Sequence, residues 1–140
     1  MFKWFEKLLI KVAKKILNKY KNHNVIELSH HIEPSIQANQ YKVFRDDKGI
    51  FGFVNWAFLN EENEQHYKSN AKINKDQWQS GDRLWLHDIL ILRNARIVMS
   101  WVYNHFKNFL KTNQCINWLR LDDNNNIYRI SSKYKREFHK

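Results

Sequence analysis

Phe5, Leu8, Leu9, Val12, Ala13, Ile16, Leu17 and Tyr20 recur three and four positions apart, with Lys7, Lys11, Lys14, Lys15 and Lys19 between them. That period predicts an amphipathic N-terminal helix of about five turns. Its lysine face would either be solvated or meet an acidic partner or anionic lipid. A second short helix is expected over Val25–Glu33, ended by Pro34. The pattern then turns to strands. Tyr41–Arg45 and Ile50–Trp56 flank the turn Asp46-Asp47-Lys48-Gly49 and predict a hairpin. Asn60 can cap a helix whose first turn carries Glu61 and Glu62, where negative charge suits the dipole. The apolar run Arg83–Leu92 predicts a central strand. Asn94 opens a helix with Val98, Trp101, Val102, Phe106, Phe109 and Leu110 on one face. Ile116–Leu121 and Ile127–Ser131 form strands around a polar turn. This order predicts an α/β or α+β domain, a mixed sheet covered by helices.

Composition narrows the class. At 140 residues the chain is expected to be one domain, residues 1–140. With 43% hydrophobic and 15% aromatic residues it can build a core, each large aromatic contributing a few kcal/mol at roughly 25 cal/mol per Å². Three Gly and one Pro argue against a disordered chain. The net charge of +10 calls for an acidic partner or surface, without choosing among nucleic acid, membrane and acidic protein. Cys115, the one cysteine, allows no internal disulfide and suits the cytoplasm. No secretory signal and no stable membrane insertion are expected.

Several chemistries fail on spacing. Cys115 lies in an apolar strand without a basic neighbour, a poor setting for a nucleophile. The seven His residues show no zinc-ligand spacing, so no metal is expected. No phosphate-binding glycine motif occurs. His87 should point to the sheet face opposite Asp88 if the strand is regular, which makes it structural.

The segments Ile32–Tyr41 (IEPSIQANQY), the run FGFVNWAFL, the following NEENEQHYKS and Trp78–Asp88 (WQSGDRLWLHD) occur in an order that resembles the RTX toxin-activating lysine acyltransferases. The resemblance covers roughly Ile32 to Leu90. It implies a GNAT-like fold and transfer of a fatty acyl group from acyl carrier protein to internal lysines of an RTX protoxin. The phosphopantetheine thioester of the carrier would be a co-substrate, and no cofactor would be bound. It points away from nucleic acid and leaves a homodimer open.

Acylating a lysine requires its ammonium to lose a proton, since an unperturbed Lys has a pKa near 10.4. The thioester carbonyl must lie within about 3 to 3.5 Å of the amine, and the oxyanion needs donors. A His backed by a carboxylate meets the first need. The resemblance assigns the carboxylate to Asp88, which closes Trp85-Leu86-His87-Asp88. Its catalytic His belongs between the first helix and the Pro34 block, where His23 stands. The stretch from His23 to Pro34 is shorter than in the family by nearly a turn. Three readings stay open: a deletion that preserves His23, replacement by His30 or His31, or loss of the His with Tyr20 in its place.

In Ser80-Gly81-Asp82-Arg83, Gly81 would permit the turn into the strand. Arg83 would pair with Asp82 or reach the carrier's phosphate. Gln40 and Tyr41, with Gln37 and Asn39, would offer donors to the same cleft, and Trp56 would be core or line the acyl chain. Ile89-Leu90-Ile91-Leu92-Arg93 replaces the family's A-P-F-G-like turn, and the chain ends soon after the last hairpin. Two rival readings remain. One is a family fold that lost catalysis and acts as a binding module. The other is a basic protein of membrane or nucleic-acid surfaces.

Overall fold

A computed structural model describes residues 32–111, 114–121 and 126–134. The amphipathic helix expected over Phe5–Tyr20 lies outside them, as do His23, His30 and His31. The strands are β1 (Tyr41–Asp46), β2 (Gly49–Leu59), β3 (Arg83–Ile91), β4 (Cys115–Leu121) and β5 (Ile127–Tyr134), and the helices are α1 (Glu61–Asn70) and α2 (Ala95–Phe106). A further helical segment spans residues 32–37. The architecture is α+β: one five-stranded sheet in the order β1-β2-β3-β4-β5. All neighbours are antiparallel except β3 and β4. That parallel pair needs a crossover, and α2 supplies it.

Pro34 does not end a helix as expected. It sits inside the segment 32–37, and its carbonyl accepts from Ala38 N at 3.0 Å. Proline removes a donor, not an acceptor, so the turn continues past it. The β1–β2 hairpin turns on Gly49, whose φ of 112° is open to glycine. At α1, Asn60 accepts from Asn63 N at 2.8 Å, the expected cap.

Two apolar layers flank the sheet. Val54, Trp56, Leu84 and Leu86 pack under α2 against Val98, Val102 and Phe106. On the other face, Ala57, Leu59 and Trp85 meet Tyr67 of α1 and Trp78. Phe53 and Leu90 meet Ile32 and Ile36 of the helical segment on that face. Trp56 is core, in T-shaped contact with Phe106 at 4.9 Å.

One irregularity organises this second face. Asn55 pairs with Asp88, but Trp56 pairs with Leu86, so His87 is an extra residue in β3. Such a bulge breaks the alternation of side chains. Leu84 and Leu86 precede it on the α2 face, and Ile89 and Ile91 come after it there. Trp85 and Leu90 face the other way. His87 and Asp88 both join them.

Candidate active site

Asp88 sits near the middle of the central strand, where a carboxylate needs partners. Asn55 of β2 supplies them. Its Nδ2 donates to Asp88 Oδ2 at 3.0 Å, and its Oδ1 accepts from Asp88 N at 2.7 Å. Asn55 is fully buried. The same Nδ2 reaches Ser35 Oγ at 3.1 Å, and that hydroxyl donates to Ile32 O at 2.7 Å. The helical segment 32–37 is thereby tied to the carboxylate through two side chains. An amide inside the run FGFVNWAFL was the available sequence signal, because a polar group at a core position implies a partner.

His87 corrects the expectation from strand alternation. It does not point away from Asp88: its Nε2 lies 4.0 Å from Asp88 Oδ2. The bulge is the reason, since the extra residue turns both side chains to one face. His87 Nδ1 is 2.8 Å from the Tyr67 hydroxyl. Trp78 stands edge-on to the imidazole at 5.4 Å. Burial, and then the charge of Asp88, push the Tyr67 phenol well above its ordinary value, so it stays protonated.

The remaining candidates divide. Gln40 is buried and gives its amide to the carbonyls of Trp56, at 2.8 Å, and Trp78, at 3.0 Å. It ties β2 to the segment before β3. Tyr41 pairs with Asn55 across β1 and β2 and stacks on Phe53 at 6.4 Å, beside the site. Arg83 lies five residues up the strand from Asp88, about 16 Å at the usual rise. Its guanidinium pairs with Glu64 at 2.7 Å and Glu61 at 3.8 Å, rather than with Asp82. Glu64, buried in α1, also accepts from Trp85 Nε1 at 2.8 Å. A buried carboxylate draws the nearest cation.

Gly81 is required for a reason other than turn conformation. A Cβ there would lie 2.5 Å from Leu59 O and from Asn60 N. Two backbones approach too closely for any side chain.

The order of these segments around Asp88 is matched elsewhere. Residues 10–134 match the HlyC, RTX toxin acyltransferase family. The chain belongs to the RTX toxin acyltransferase family. RTX-I toxin-activating lysine-acyltransferase ApxIC of Actinobacillus pleuropneumoniae is 32% identical over 114 residues, 80% of this chain and 60% of that protein. Leukotoxin-activating lysine-acyltransferase LktC serotype A11 of Mannheimia haemolytica is 39% identical over 62 residues, 44% of this chain and 37% of that one. An uncharacterised Synechocystis protein, sll0720, is 31% identical over 107 residues, 72% of this chain and 69% of its own. Against the two named acyltransferases, this member of the RTX toxin acyltransferase family spans less than two thirds of their length. Among the described residues no helix is long and apolar enough to cross a membrane.

Proposed function

We propose that this protein is a protein-lysine fatty acyltransferase of GNAT-like fold, acting in the cytoplasm. It takes an acyl chain from acyl carrier protein and transfers it to an internal lysine of an RTX-type protoxin. The observation that carries this reading is the Asp88 carboxylate, held by Asn55 at the position where the family motif W-x-x-D places its acid. The net charge of +10 suits an acidic carrier.

In the reaction, the imidazole of His23 takes a proton from the lysine ammonium or carries the acyl group transiently, and Asp88 orients it. In direct transfer the neutral amine attacks the thioester carbon, the N–C bond forms and the C–S bond breaks; if His23 carries the acyl group, its imidazole breaks the C–S bond first and the amine then breaks the acyl–imidazole C–N bond. The carrier thiolate leaves and takes up a proton.

The test combines the protein, acyl carrier protein loaded with a fatty acyl thioester, and an RTX protoxin, with mass spectrometry of the protoxin lysines. Acylation by the wild type, lost in Asp88→Ala and His23→Ala, is expected. No adduct with the wild type, or equal adducts with both variants, overturns the reading. Carrier binding without transfer would instead mark a binding module.

A further inference from the structure

The β3 bulge delivers an imidazole to the carboxylate that the acyl-transfer reading uses. His87 is side-chain buried, 6% exposed, with Nδ1 2.8 Å from the Tyr67 hydroxyl and Nε2 4.0 Å from Asp88 Oδ2. Its ring is enclosed by Trp78, edge-on at 5.4 Å, and Tyr67 at 5.6 Å. The Tyr67 phenol keeps its proton, because burial and the Asp88 charge both oppose its loss. A protonated phenol can donate or accept; where it donates to Nδ1, that nitrogen cannot carry the imidazole proton. The proton of the neutral ring then sits on Nε2, the nitrogen facing Asp88.

We propose that His87 is a positioning residue for Asp88: Tyr67 donates to Nδ1 and fixes its tautomer, and its Nε2–H faces Oδ2, the oxygen that Asn55 also binds. The 4.0 Å separation is an electrostatic contact. Catalytic hydrogen bonds commonly tighten when substrate binds. A carboxylate gripped on one oxygen from two sides presents the other at a set angle, and misplacement by about 1 Å can cost a hundredfold in rate. The inference rests on the proposed acyl transfer, since positioning matters only if Asp88 serves that chemistry.

The test uses the full chain, three single variants and the double variant His87→Leu/Tyr67→Phe. His87→Leu fills the space without nitrogens, His87→Gln returns an N–H near the Nε2 position, and Tyr67→Phe removes one hydroxyl. With acyl-loaded carrier and protoxin, His87→Leu is expected to lower kcat at least tenfold with KM for the carrier within twofold of wild type. His87→Gln should recover most of that loss. Tyr67→Phe should lower kcat alone but add little on top of His87→Leu. The ¹⁵N spectrum of the wild type should show His87 as the Nε2–H tautomer. Wild-type kcat in His87→Leu, equal losses for Leu and Gln, or an Nδ1–H tautomer overturns the proposal. If His87→Leu does not fold, Tyr67→Phe decides, and an unchanged kcat there overturns it as well. If the wild type transfers no acyl group, the proposed function fails, and the tautomer alone then supports or overturns the His87 geometry.

Discussion

Asn55 and Asp88 grip each other at both ends: Asn55 Nδ2 donates to the Asp88 carboxylate at 3.0 Å, and Asn55 Oδ1 accepts the Asp88 backbone N–H at 2.7 Å. One side chain thus sets both the strand register at this point and the direction of the acid. Replacing it by Leu leaves Asp88 and Ser35 without their shared donor. Asn55→Leu should lower stability by about 2 kcal/mol and reduce acyl transfer at least tenfold. Urea denaturation and a lysine-acylation assay measure the two losses separately.

Asp88→Asn should separate fold from chemistry. The amide keeps nearly the shape of the carboxylate and loses its charge. Stability should change by less than about 1 kcal/mol, in the range of substitutions that open no cavity. Transfer should fall by roughly a hundredfold or more, as when an imidazole loses its carboxylate partner. A large drop in melting temperature would instead make Asp88 a structural residue.

Gly81→Ala should destabilise without touching the site. The added methyl would lie 2.5 Å from the backbone of Leu59 and Asn60, so main chain must move. A loss of about 3 kcal/mol is expected, typical of a forced backbone shift. A denaturation midpoint equal to wild type would show that the two segments can part freely.

His105 should give the fold a pH dependence from the α2 side. Burial and then the nearby Lys42 charge lower its pKa below the ordinary 6.5. Its ring stacks on Trp101 at 4.4 Å. A depressed pKa means that the unfolded chain binds the proton more readily. This contribution is complete above about pH 6.5 and fades as pH falls through the lower folded value. Chemical denaturation from pH 7.5 to 5 should show that loss in the wild type and a shallower one in His105→Gln.

Much of this architecture is legible in the chain. The hairpin at Gly49, the Asn60 cap, the central strand from Arg83 and the helix after Asn94 arise from short-range patterns, and each is present, although the helix ends at Phe106, before the Phe109 and Leu110 expected on its face. Pro34 misleads because a proline at a helix end and one within a helical turn look alike when the preceding context is short. The uses of Gln40, Arg83 and Gly81 are not legible. Gln40 binds carbonyls of Trp56 and Trp78, Arg83 turns to Glu64, and Gly81 yields to Asn60. Each depends on a partner brought close only by the fold.

The order of elements and the motif around Asp88 can be written down from the residues alone, because periodicity, capping and motif order are properties of neighbours along the chain. That Asp88 shares a face with His87 cannot. It is decided by one extra residue in the pairing of β2 and β3, between partners 33 positions apart. Alternation along a single strand carries no record of how its neighbour is registered against it, and a one-residue slip sends every later side chain to the opposite face.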